Sequence, residues 1–261
     1  MSEFLDLLGR GTLVLSDQVG SFTMFMGRTV QTLVTTRPKI RQLFQQMENI
    51  GIGSLSITIL TGAFTGLAFA LQSYIGFSRV GTEEFIGLVV TLGMTRELGP
   101  VLTGLMVTGR CSSAMAAEIG TMRITEQIDA LQTLGIDPFQ YLIVPRIVAS
   151  TLMMPCLTIV SMICGIIGGY LLCIYSLGLS PENYINIIQE RVALSDITGG
   201  LFKAAVFGFI FSWVGTYKGY MTTGGSQGVG RATTESVVIA SIILLIANYF
   251  LSSFLFQTGL A

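Results

Sequence analysis

The chain has 261 residues, 51% of them hydrophobic and 11% charged, with a formal net charge of −1 and a mean hydropathy of +0.71. A soluble domain carries about 25% charged residues. Here apolar runs longer than about 18 residues take that place, long enough to cross a bilayer, so the chain reads as an all-α polytopic membrane protein. The charge balance gives no footing for nucleic acid, and the absence of histidine removes the commonest general base and metal ligand.

Residues 1–34 are mixed rather than continuously apolar. Phe4, Leu7, Leu8, Leu15, Val19, Phe22, Phe25 and Met26 alternate with Glu3, Asp6, Arg10, Asp17 and Arg28. No apolar core followed by a cleavage site is present, so this is not a signal peptide. The pattern predicts an amphipathic helix lying in the membrane interface. Arg37-Pro38-Lys39 then breaks the helix and turns the chain. The expected division is 1–48 as interfacial helix and elbow, and 49–261 as the transmembrane domain.

Five apolar segments follow, at residues 51–77, 85–109, 145–175, 199–217 and 234–256. At about 1.5 Å per residue each can span a hydrocarbon core of about 30 Å. The third is overlong and contains Pro155, so it must tilt, kink or project. Its three cysteines, Cys156, Cys164 and Cys173, form no CxxC pair and, with Cys111, read as small hydrophobes. Gly62-x-x-x-Gly66 and Gly165-x-x-x-Gly169 let backbones approach closely, within one subunit or between two.

Lysine and arginine set the orientation. With the N-terminus inside, the inner side holds Arg10, Arg28, Arg37, Lys39, Arg41, Arg110, Arg123, Arg146, Lys218 and Arg231, and the outer side only Arg79 and Arg191. The N-terminus is therefore expected in the cytoplasm. Residues 180–196 become a short external helix or loop.

Three stretches carry candidate chemistry. Arg96 and Glu97 sit inside the second segment beside Gly99-Pro100. A charge at that depth costs about 2.5–3.5 kcal/mol on insertion scales, so it must face protein or water. Either the pair lines a cavity for an anionic headgroup, or Arg96 binds carbonyls freed by the Pro100 kink while Glu97 pairs with another helix. Lys203 in the fourth segment either joins that cavity or snorkels.

Residues 118–134 read as one amphipathic helix. Ile124, Ile128, Leu131 and Leu134 form an apolar stripe, and Glu118, Met122, Thr125, Glu126 and Asp129 fall on another face. A methionine among acidic residues fits a docking knob for a soluble partner, or else an ordinary solvated face. The third stretch, 221–232, contains Gly224-x-Ser226-x-Gly228. A nucleophile elbow needs a preceding strand and a histidine base, and neither is available. It reads instead as a flexible inner turn leading to Arg231. No G-x-x-x-x-G-K-[ST] occurs, so the chain has no phosphate-binding loop of its own.

Thr95-Arg96-Glu97-Leu98-Gly99-Pro100-Val101-Leu102, Gly109-Arg110, the block from Ala117 through Glu118-Ile119-Gly120-Thr121-Met122-Arg123-Ile124-Thr125-Glu126-Gln127-Ile128-Asp129 to Leu131, Asp137-Pro138, Pro145-Arg146 and Gly228-Val229-Gly230-Arg231-Ala232-Thr233-Thr234 together resemble the MlaE-type permease. That family is the membrane subunit of ABC transporters that move phospholipid with MCE proteins.

The resemblance implies a homodimer of five spans per subunit, an N-terminal interfacial helix and a cytoplasmic coupling helix. Glu118, Gly120, Met122, Thr125, Glu126, Gln127 and Asp129 would dock on a cytoplasmic ABC ATPase, which alone would bind ATP; the chain would need no cofactor. A periplasmic MCE-domain protein would sit on the outer face, and in some relatives a STAS-domain protein joins the ATPase. Phe64, Phe69, Leu71, Tyr74 and Phe77 would contact lipid tails, and Arg96, Glu97 and Lys203 would form the polar part of the path. The N-terminal stretch lacks an Arg- and Ser-rich transit pattern, which favours a bacterial inner membrane. A non-transporting scaffold for an MCE protein, a permease for another lipid or sterol, and an intramembrane transferase using Glu97 and Arg96 are the competing expectations.

Overall fold

The computed structural model describes residues 20–35 and 40–258. Every regular element among them is helical. In chain order they are α1 (20–35), α2 (Ile40–Phe77), α3 (Glu83–Ile124), α4 (Gln127–Thr133), α5 (Phe139–Ser176), α6 (Pro181–Arg191), α7 (Leu194–Tyr220) and α8 (Gly225–Thr258). Helices α2, α3, α5, α7 and α8 are long and apolar enough to cross a membrane, matching the five expected segments. They alternate in direction, so Arg110, Arg123, Arg146, Lys218 and Arg231 lie toward one end of the bundle, called here the basic end.

The helices run past the expected segments: α2 starts at Ile40 where 51 was expected, α3 ends at Ile124 beyond 109, and α5, α7 and α8 start at Phe139, Leu194 and Gly225, before 145, 199 and 234. Arg110 does not end the helix: it sits in a π-turn, Thr108–Ser112, and the helix continues to Ile124. Arg110 Nη1 donates to the Asn49 carbonyl (3.1 Å) and to Ser54 Oγ (2.9 Å) on α2, so the exposed side chain is tied back to a neighbouring helix. The last span starts at Gly225, because Gly224 (φ +85°) and Gly225 (φ +67°) complete the turn from α7 in left-handed conformations that favour glycine. The Gly224-x-Ser226-x-Gly228 motif therefore lies in a helical first turn with no strand before it.

Helix α3 runs through the centre and touches α2, α5, α7 and α8. Helix α2 packs along α5 through the two small-residue motifs. A Cβ on Gly66 would lie 1.9 Å from the Gly165 carbonyl oxygen, and one on Gly62 would lie 2.6 Å from that of Ser161. The motifs thus pack against each other within one subunit. Small residues let the backbones meet where lipid offers no hydrophobic drive for side-chain interlocking. Pro155 is accommodated inside α5. Cys111 and Cys173 are buried in apolar clusters and all four cysteines are free.

The N-terminal helix α1 docks at the basic end. Phe22 stacks on Trp213 (4.0 Å between centroids), and Phe25 is buried among Phe139, Tyr217 and Tyr220. Its outward face carries exposed Met24, Val30 and Val34, as an interfacial helix requires. Expectations for residues 1–19 and for Arg37-Pro38-Lys39 fall outside the described residues. At the opposite end, α6 supplies the short helix expected within 180–196, held by Tyr184, whose ring covers Gly87 and meets Tyr170 edge-on.

Candidate functional site

Pro100 lacks an N–H and so cannot donate to the Arg96 carbonyl four residues earlier. The helix widens into a π-turn over Met94–Leu98 just before it, a local defect common at functional sites. Lys203 Nζ, reaching across from α7, donates to that Arg96 carbonyl (2.9 Å). It also donates to Glu97 Oε1 (2.7 Å) and to Ser252 Oγ on α8 (2.8 Å). All three ammonium protons are therefore engaged, and Lys203 is only 3% exposed. It does not snorkel; the kink supplies an acceptor that holds it inside.

Glu97 is held from three sides. Besides Lys203, Asn248 Nδ2 donates to its Oε2 (3.0 Å), and Ser252 Oγ lies 2.8 Å from its Oε1. Arg96 points the other way, donating through Nε (2.7 Å) and Nη2 to Asp196 Oδ1. Asp196 in turn accepts the Ala193 N–H through Oδ2 (2.8 Å), which caps α7. The cluster contains two cations and two anions, neutral as a unit, and joins α3, α7 and α8. Arg96 and Glu97 side chains stay about 40% and 45% open, and Asn248 Oδ1 accepts no bond. A polar ligand or a second protein surface can reach Arg96 and Glu97, whereas Asn248 Oδ1 is buried.

Asp196, Asn248 and Ser252 were not foreseen. Asp196 sits at the end of a polar stretch between spans, where one more acid carries no signal. Asn248 was the visible clue, an amide within an apolar span, which needs a partner.

The candidate tail contacts divide. Phe64 and Leu71 are exposed along α2, whereas Phe69, Tyr74 and Phe77 pack onto the buried cluster of Ile86, Val90, Met94 and Tyr184. Phe69 fills the space beside Gly93. The aromatic residues of α2 and the Glu97–Lys203–Asn248 cluster therefore do not line one cavity within a single subunit.

The expected amphipathic helix over 118–134 is two helices. Glu126 adopts a left-handed conformation (φ +59°), so α3 ends at Ile124 and α4 starts at Gln127. The break turns the apolar stripe apart: Ile128 is fully buried, while Leu134 is 74% exposed. Met122 is half-buried against the Ile119, Ile128 and Phe139 cluster and is not a surface knob. Gly120 is buried, where a Cβ would come within 3.1 Å of Thr222 Oγ1. Thr125, Glu126, Gln127 and Asp129 are exposed, with Asp129 tied to Arg123 (2.7 Å). Glu118 is mostly exposed but pairs with the buried Arg146 (2.9 Å). The protruding surface is therefore the α3–α4 break, α4 and Leu134.

Among the described residues, no group of three or more His, Cys, Asp or Glu side chains is placed to hold a metal ion.

Comparison with known proteins places this arrangement. The model of the permease MlaE family matches residues 43–254. A probable ABC transporter permease protein of Rickettsia conorii is 44% identical over 250 residues, 96% of each chain. The chloroplastic protein TRIGALACTOSYLDIACYLGLYCEROL 1 of Arabidopsis thaliana is 40% identical over 237 residues, 91% of this chain and 68% of its own. The intermembrane phospholipid transport system permease protein MlaE of Haemophilus influenzae is 36% identical over 253 residues, 94% of this chain and 97% of its own.

Proposed function

The chain belongs to the MlaE permease family, and on that premise we propose that it is the membrane subunit through which an ABC transporter moves phospholipid between membranes. It works as a homodimer in a bacterial inner membrane, its basic end in the cytoplasm. A separate cytoplasmic ATPase supplies energy, and a periplasmic MCE-domain protein receives or delivers the lipid. The name of the Haemophilus influenzae relative, an intermembrane phospholipid transport system permease protein, supports the substrate class.

The observation that carries the proposal is the half-open charge cluster on α3, α7 and α8 within the spans. Charges retained at membrane depth mark substrate paths. Lys203 and Glu97 compensate each other, so an entering headgroup exchanges partners within the cluster instead of meeting a bare charge. ATP-driven closure of the ATPase pushes α4 and the α3–α4 break. Because α3 touches all four other spans, its displacement shifts Arg96 and Glu97 relative to Lys203 on α7 and to Asn248 and Ser252 on α8.

The neutrality of the cluster also suits a static scaffold, and one experiment separates the two. The native complex is reconstituted in vesicles and ATP-dependent phospholipid transfer is measured. Joint Glu97→Gln and Lys203→Met substitution leaves no unpaired charge. Transfer falls about tenfold or more if the charges handle the headgroup, given the 1.5–3 kcal/mol typical of hydrogen bonds to charged groups. Unchanged transfer in a folded variant supports the scaffold.

A further inference from the structure

At the basic end, α1, α7 and α8 enclose a cleft of about 510 Å³, within the 300–1,000 Å³ of ordinary ligand pockets. It is separate from the charge cluster, which lies farther along α7 and α8. Its walls divide by chemistry. Val214, Ile239 and Ile243 line the apolar part with Phe22, and Lys218, Arg231 and Glu235 line the polar part.

Glu235 holds both cations, with Lys218 Nζ at 2.8 Å and Arg231 Nε at 2.7 Å. Two positive charges thus share one carboxylate, leaving an excess of one. Both terminal nitrogens of Arg231 lack a partner among the described residues, and that side chain is 83% exposed. They form a free fork, the shape that engages a phosphate in two parallel bonds. Gly228 keeps the turn tight beneath them: a Cβ there would lie 1.8 Å from the Thr223 carbonyl oxygen. Beyond the polar rim the exposed surface of α8 is apolar, with Val238, Ile242, Leu245 and Ile246 facing outward.

We propose that this cleft binds an anionic phospholipid from the leaflet at the basic end, its phosphate on Lys218 and Arg231 and one acyl chain against Ile239 and Ile243. A lipid of net charge −1 matches the single excess positive charge, and its tail continues the apolar surface of α8 into the bilayer. The proposal needs only that the chain spans a membrane and does not rest on the transport reading. Loss of lipid transfer in the vesicle experiment leaves it standing.

Trp213 is the chain's one tryptophan and stacks on Phe22 in the cleft wall. The full chain in nanodiscs is titrated with dibrominated phosphatidylglycerol or dibrominated phosphatidylcholine, and quenching of Trp213 fluorescence is recorded. The glycerol lipid is expected to quench saturably at about fivefold lower mole fraction, as one unneutralised cation near a membrane surface provides. Lys218→Gln with Arg231→Gln removes that preference. Glu235→Gln, which frees both cations, strengthens it and guards against mistaking misfolding for lost binding. Equal quenching by both lipids in the unmodified chain, or a preference that Glu235→Gln weakens, overturns the proposal.

Discussion

Arg146 is buried to 3% exposure and holds Glu118, 62% exposed, at 2.9 Å. The pair bridges α3 and α5 at the base of the connection formed by α4. The contact is made by Arg146 Nη2, and Nη1 has no partner, so Glu118 is the counter-charge of an otherwise bare buried cation. Force applied to α4 consequently reaches two spans together.

Breaking such a pair from the carboxylate side leaves the guanidinium stranded, which typically costs 3–5 kcal/mol in a buried setting. Solvent around Glu118 reduces this to about 2 kcal/mol. Glu118→Ala therefore destabilises the chain more than Glu118→Ala with Arg146→Met. Thermal unfolding in detergent across the double-mutant cycle checks this; additive effects would remove the pair from the account.

The contact of Gly66 with Gly165 predicts a sharp contrast along one helix. Gly66→Ala forces α2 away from α5 and costs about 1–3 kcal/mol, as overpacking does. Gly76→Ala, with open space around its Cβ, is neutral or stabilising by up to about 1 kcal/mol. Melting temperatures of the two purified variants decide it.

Tyr184 introduces a pH dependence outside the spans. Burial pushes its phenol well above the usual 10, and its hydroxyl has no partner. The unfolded chain loses that proton near pH 10 while the folded chain keeps it. Stability contributed below pH 10 is lost as pH rises past that value. Tyr184→Phe is expected to match or exceed the unmodified chain at pH 7 and to lose less stability between pH 9 and 11. Parallel alkaline losses in both proteins would show that Tyr184 does not titrate on unfolding.

The exposed α4 surface predicts coupling without stability. Leu134→Asp and Glu126→Gly leave the fold intact, the latter because glycine suits a left-handed position. Leu134→Asp lowers lipid-dependent ATPase activity of the native complex. Met122→Asp, by contrast, buries a charge and lowers the melting temperature. A Met122→Asp protein of normal stability but lost coupling would restore methionine as a surface knob.

The five spans were legible because apolar length is a direct physical signal. Their ends were less so: Arg110 looks like a membrane boundary, yet α2 supplies its acceptors. The 118–134 stripe assumed one unbroken helix, and a single left-handed residue, Glu126, sends Ile128 inward and Leu134 outward. Arg96, Glu97 and Lys203 stood out as charges in apolar runs. Their partners Asp196, Asn248 and Ser252 did not, since pairing across helices more than 90 residues apart leaves no local pattern. The glycine motifs announced close approach but not that each would meet the other.

The central claim is that this chain conducts phospholipid under the drive of a separate ATPase. The most direct measurement is gentle detergent extraction of the tagged chain from its native membrane, with mass spectrometry of the proteins and lipids that remain bound. The account predicts two copies of the chain, an ABC ATPase, an MCE-domain protein and phospholipid. The chain recovered intact without any nucleotide-binding protein or specific lipid would contradict it.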